Sequence, residues 1–116
     1  LKGLKKEFIN RFPKLTQLFV KSCNLEEIEH DAFSNLKKLN CLDLSDNSLR
    51  FIKKETFSKL KNLQILDLSQ NELTNLDFKF IGVRNSVQFI LENKKLATYN
   101  SYWYYTGPIP RDSNLE

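Results

Sequence analysis

The 116-residue sequence has no methionine, two cysteines, one histidine, one tryptophan, three glycines and three prolines. His30, the lone histidine, lies between Glu29 and Asp31 with no further ligand at a metal-site spacing, so it reads as a solvated side chain and no metal is expected. With so few glycines there is no phosphate-cradling loop, and no nucleophile elbow occurs either. The chain is therefore not expected to be an enzyme or to carry a cofactor. No apolar run approaches the roughly 18 residues that span a bilayer, and no signal peptide is visible. Membrane contact is not expected within this segment. Cys23 and Cys41 do not make a disulfide framework, and no N-x-S/T sequon is present. Lys and Arg number 18 against 14 acids, a formal charge of +4.

What is abundant is repetition. The segments LTQLFVKSCNLEEIEHDAFSNLKK (15–38), LNCLDLSDNSLRFIKKETFSKLKN (39–62) and LQILDLSQNELTNLDFKFIGVRN (63–85) follow one pattern. Self-similarity at a fixed period signals a stack of units, each burying its apolar face against the next. The alternating L-x-L predicts a short strand that buries Leu42 and Leu44, then Leu66 and Leu68. Successive strands pair as parallel neighbours about 4.8 Å apart. Leu25, Ile28, Phe33 and Leu36, and then Leu49, Ile52, Phe57 and Leu60, are spaced three, five and three apart. That suits irregular or 3₁₀-like turns on a return arm better than a long helix.

The same register makes 1–14 half a repeat, with Leu1, Leu4, Ile9 and Phe12 in core places, so the chain reads as a piece of a longer product. Residues 86–106 read as a degenerate closing repeat, with Phe89 and Leu91 as strand core, then Leu96, Tyr99 and Tyr104. The third repeat needs 23 residues for this to fit, with its Phe80–Ile81 pair shifted relative to Phe33 and Phe57. Gly107–Pro108 and Pro110 end the pattern, and 107–116 reads as a tail or linker.

LDLSDNSLRFI and LDLSQNELTNL carry the resemblance: residues 15–85 resemble the 24-residue typical leucine-rich repeat. The resemblance implies an α/β architecture, a curved solenoid with a short-stranded parallel sheet on its concave face and turns on its convex face. It also implies a non-catalytic protein–protein recognition module. Repeats of this length with a convex Phe imply a secreted or cell-surface setting of receptor, adhesion or immune type. The cysteine-rich caps usual at the ends of such proteins are absent from this sequence.

Asn47 and Asn71 hold the ninth position, where the chain turns inward and leaves backbone groups buried. An Asn amide can satisfy them from its own and adjacent layers. Cys23 takes that place in the first repeat, which completes a structural ladder. Lys94 takes it in the last, where a charge cannot be buried, so the ladder should end there. On strand geometry Cys23 and Cys41 lie on the order of 15–20 Å apart, too far for a disulfide, which needs about 7 Å between Cα atoms. Free thiols suit a reducing compartment, and this keeps open an intracellular scaffold or adaptor as the alternative.

The side chains between the strand leucines are expected to face outward on the concave side, Ser45 and Val87 among them. The binding candidates there are Phe19, Lys21, Asp43, Asp46, Ile65, Asp67, Ile90 and Glu92. The exposed face counts four acids (Asp43, Asp46, Asp67, Glu92) against Lys21, a net charge of −3, which leaves +7 for the rest. Phe19, Asp43, Asp67 and Ile90 form a central column. A plainer reading is that L-D-L-S is simply the common filling of this repeat. The expected partner is a protein with a basic or amphipathic surface, and self-association through exposed ends is open. Nucleic acid is not expected, because the lysines lack interleaved aromatics. Tyr102, Trp103 and Tyr105 form a possible secondary patch, while Tyr99 and Tyr104 fit a lid over the last layer.

Overall fold

The computed structural model describes residues 2–74, 76–84, 86–93 and 103–108. In chain order the elements are β1 (Gly3–Leu4), α1 (Lys6–Ile9), β2 (Gln17–Phe19), β3 (Glu27–Ile28), β4 (Cys41–Asp43), β5 (Ile65–Asp67), α2 (Phe78–Ile81), β6 (Gln88–Asn93) and β7 (Trp103–Pro108). The leucine alternation builds the main sheet, ordered β2-β4-β5-β6-β7. Its first four strands run parallel and its last antiparallel. Leu42, Leu44, Leu66, Leu68, Phe89 and Leu91 all turn inward and are fully buried. Each contributes about 1.5–3 kcal/mol relative to exposure.

The return arms are chains of tight turns. Ala32, Ser34 and Leu36 donate backbone bonds three residues back, and Thr56, Ser58 and Leu60 do the same in the next repeat. Phe33 and Phe57 stack at 5.9 Å inside these arms. In the third arm a single helical turn, α2, replaces the pattern. Asp77 Oδ1 caps it by accepting from the backbone N–H groups of Lys79 and Phe80, both at 3.1 Å. A second, two-stranded parallel sheet joins β1 to β3, a pairing that no alternation in the sequence announces.

Three expectations need correction. Gln17 pairs with Cys41 and Cys41 with Ile65, steps of 24, whereas Ile65 pairs with Gln88, a step of 23. The shortening is not in the arm, however. Phe57 N–H bonds Ile81 C=O, and the turns Phe12–Leu15, Leu36–Leu39, Leu60–Leu63 and Arg84–Val87 all close with the same bond at 24-residue intervals. The missing residue falls between Val87 and Gln88, so the closing repeat begins at 87 and not at 86. Val87 thereby takes the place of Leu39 and Leu63 and is buried, not exposed on the sheet face. Phe80 is not a shifted core residue either: it is exposed, and Phe78 and Ile81 fill the layer, with Phe78 edge-on to Phe89 at 4.5 Å.

The tail begins later than expected. Gly107 and Pro108 belong to β7, opposite Phe89 and Gln88. Pro108 has no N–H to donate, which an edge strand tolerates. β7 covers the far edge of β6 and blunts it against further pairing. Leu1, Asn85, Lys94, Leu96, Tyr99, Tyr102 and Pro110 lie outside the described residues. At the opposite end β2 is the terminal strand of the main sheet. There α1 packs Ile9 into the core, leaving an apolar cleft of about 390 Å³ lined by Leu4, Phe8, Ile9, Leu18, Phe19 and Val20, among others.

Candidate functional site

The parallel register brings the outward side chains of β2, β4, β5 and β6 into columns. Phe19, Asp43, Asp67 and Ile90 form one; Gln17, Cys41, Ile65 and Gln88 form its neighbour. Phe19 is 59% exposed and Ile65 38%, while Asp43, Asp67 and Ile90 are half-buried. At the upper rim Ser22, Asp46 and Gln70 share one left-handed backbone conformation, with φ of 56°, 56° and 54°. Ser22 Oγ meets Asp46 Oδ2 at 2.6 Å, and Gln70 Nε2 donates to Glu92 Oε1 at 2.5 Å. The structure thus brings Phe19, Asp43, Asp46, Ile65, Asp67, Ile90 and Glu92 onto one face, with Lys21 exposed beside β2. Ser45 is the exception. It is 6% exposed and turned away from solvent, because the chain has begun its inward bend.

The two central aspartates have a second task. Asp43 Oδ1 accepts from the Ser45 backbone N–H at 2.9 Å, and Asp67 Oδ1 from that of Ser69 at 2.9 Å. Each carboxylate closes the turn that follows its own strand, as Asp side chains do two residues on. The D-x-S spacing in LDLS carries that signal. One oxygen of each carboxylate is therefore structural, and the charge remains at the surface. Cys41 lies beside both. Burial first, then the Asp43 and Asp67 carboxylates, push its thiol above the ordinary value. A protonated thiol is a poor nucleophile, and both cysteines are free.

Beneath the face runs the asparagine ladder. Asn47 Oδ1 accepts from the N–H groups of Cys23 and Leu25, both at 3.0 Å. Its Nδ2 donates to Val20, Leu44 and Ser45 carbonyls at 2.6, 3.0 and 3.1 Å. Asn71 accepts from Leu49 N–H at 3.0 Å and donates to Leu44, Leu68 and Ser69 carbonyls at 3.0, 3.1 and 3.2 Å. Each amide stitches its own layer to the preceding one, so the strand face is held by buried bonds on its inner side. Cys23 Sγ only reaches Lys21 C=O, at 3.2 Å.

Phe8 is a site residue that sequence reasoning missed. It is 54% exposed and lines the cleft next to Phe19. Its register mates are Ala32 and Thr56, both buried. A phenyl ring in a place sized for them stays outside the layer, and that size mismatch was the readable signal. Of the secondary patch, Trp103 and Tyr105 lie in β7 opposite Asn93 and Leu91, and Tyr102 falls outside the described residues. Among the described residues no group of three or more His, Cys, Asp or Glu is arranged to hold a metal.

The family model for leucine-rich repeats matches residues 13–73 and 40–96. No curated protein matches the chain. With more than half its length covered, the chain belongs to the leucine-rich repeat family, whose domains generally mediate protein–protein interaction and are typically non-catalytic.

Proposed function

We propose that this leucine-rich repeat chain recognises a protein through a concave strand face, and that its ligand presents a cationic, amphipathic surface there. The observation that carries the reading is the Phe19–Asp43–Asp67–Ile90 column. It places two carboxylates side by side between an exposed phenyl ring and a half-buried isoleucine, which is the composition of an interface hot spot with an apolar anchor and charged surround. In-register like charges repel, and a ligand cation laid across them relieves that repulsion. The cleft beside Phe19 extends the site with a pocket for an apolar side chain.

A secreted or cell-surface setting, of receptor, adhesion or immune type, is part of the same proposal. The free, half-buried Cys41 is tolerable in such a setting, because its raised pKa keeps it slow to exchange. Among the described residues the outer edge of β2 is unpaired, which makes self-association a competing use of the same end.

Panning a random peptide library against the chain tests the site. The expected binders carry net positive charge and at least one bulky apolar residue. Asp43→Asn with Asp67→Asn keeps the turn-closing oxygen while removing charge, and should weaken such peptides about tenfold or more. Lys53→Gln with Lys54→Gln, on the return arm, should change affinity less than about twofold. Neutral or acidic binders, or equal losses from both pairs, would move the site off the strand face.

A further inference from the structure

The bases of this chain are not spread evenly. The stretches that lead into the strands, 10–16, 34–40, 58–64 and 82–87, hold Arg11, Lys14, Lys37, Lys38, Lys59, Lys61 and Arg84, seven bases and no acid. The stretches on the opposite edge, 22–29, 46–53 and 70–77 with residues 2–5 that pair beside the first of them, hold six acids (Glu26, Glu27, Glu29, Asp46, Glu72, Asp77) against Lys2, Lys5, Arg50 and Lys53. One edge of the stack carries bases alone, and the other mixes both signs.

The cationic edge is a built surface. Four turns closed by the same backbone bond, Phe12–Leu15, Leu36–Leu39, Leu60–Leu63 and Arg84–Val87, stand one behind another. Bonds run between them as well. Asn35 Nδ2 donates to Asn10 Oδ1 at 2.8 Å, Asn62 Nδ2 to Lys37 C=O at 2.6 Å, and Arg84 Nη2 to Leu63 C=O at 2.8 Å. All seven bases are exposed. The ion pairs of the described residues, Lys6–Asp31 and Arg50–Glu72, use none of them. Among the described residues no salt bridge offsets the repulsion within this array.

We propose that this turn edge binds a linear sulfated polysaccharide. Turns one strand spacing apart place the four successive turns along about 15 Å, a run that a few sugar rings cover. Five of the seven bases are lysines, hydrated point charges on flexible stems, which suit freely rotating sulfates and need no planar fork. A single-stranded nucleic acid would want a row of stacking aromatics. Here Phe12 is exposed, but its register mates Leu36 and Leu60 are buried and Arg84 holds the fourth place. An acidic protein would want an apolar anchor at the centre of its contact, and the middle turns offer none. The ligand is thus a hydrated polyanion held by charge alone, on a different surface from the strand face.

The test is calorimetric titration of the whole chain with a fully sulfated heparin hexasaccharide across a salt series. If about four charges are neutralised at about 0.7 each, affinity falls about 20- to 30-fold for a threefold rise in salt. Lys37→Gln with Lys38→Gln should lower affinity at least about tenfold and flatten the salt slope by more than about one. Lys53→Gln with Lys54→Gln removes the same charge from the return arm and should change affinity less than about threefold. Circular dichroism melts establish that each variant folds. No binding at low salt, equal losses from both pairs, undiminished binding of the desulfated hexasaccharide, or tighter binding of an oligonucleotide of equal charge would each overturn the proposal.

Discussion

Replacing Asn47 by alanine removes the most heavily bonded side chain of the described residues. Its amide holds five backbone groups: the N–H of Cys23 and Leu25, and the C=O of Val20, Leu44 and Ser45. Asn47 is 8% exposed, so water reaches these groups only if the layers part. A buried polar group left unpaired costs about 1–3 kcal/mol. Carbonyls with a second partner lose less, and the half-buried Cys23 N–H can be rehydrated. Two groups fully orphaned give a loss of about 3 kcal/mol, a large fraction of the stability of a small domain. Asn71→Ala removes the acceptor of the Leu49 N–H and should cost about 2 kcal/mol.

Asn47→Asp separates the two halves of the amide. It keeps an acceptor for Cys23 and Leu25 but turns the donor into a second acceptor facing three carbonyls, so it should rescue nothing. Asn62 is the control. Its single bond to Lys37 C=O is exposed, and alanine there should cost less than about 1 kcal/mol. Asn24 is a poorer control, because its φ of 56° charges alanine about 1–2 kcal/mol for the left-handed conformation. Asn24→Gly avoids that. Urea melts followed by circular dichroism decide the matter. If Asn62→Ala falls as far as Asn47→Ala, or Asn47→Asp behaves like wild type, the ladder does not hold the layers together.

Gly82 ends α2 at φ +84°, and a Cβ there would lie 2.9 Å from the Ser58 backbone N. Gly82→Ala should lose about 2–4 kcal/mol from strain plus displacement of the second arm, whereas Gly3→Ala, with its nearest neighbour at 3.7 Å, should lower the melting temperature far less. Because burial and the two aspartates raise the Cys41 thiol pKa, its alkylation by iodoacetamide should reach half-maximal rate at higher pH than a free cysteine peptide measured alongside. The Asp43→Asn, Asp67→Asn variant should bring that midpoint down. A midpoint at or below that of the peptide would contradict the buried setting.

Much of this was legible because one rule, a 24-residue step, fixes many places at once. Leu42, Leu66 and both ladder asparagines follow from it directly, and so does the facing of Asp43 and Asp67. What the sequence hid depends on local deviations from the step. Val87 could be read as exposed because counting alone does not say where a shortened repeat loses its residue, and only the Arg84–Val87 turn places the loss next to the strand. β1 and β3 are two residues each, too short for any alternation to show. β7 has no leucine pattern, and Gly107 and Pro108 argue against a strand until pairing with β6 supplies its ladder. The turn-closing role of Asp43 was hidden by ambiguity, since an aspartate suits both a turn and an anionic face.

The most direct test of the central claim is a side-chain and amide shift map of the labelled chain titrated with a cationic amphipathic peptide selected against it. Changes centred on Phe8, Phe19, Cys41, Asp43, Ile65, Asp67 and Ile90, abolished by Asp43→Asn with Asp67→Asn, are the predicted result. Changes centred on Phe51, Lys53 and Lys54, or spread evenly over both sides of the chain, would contradict it.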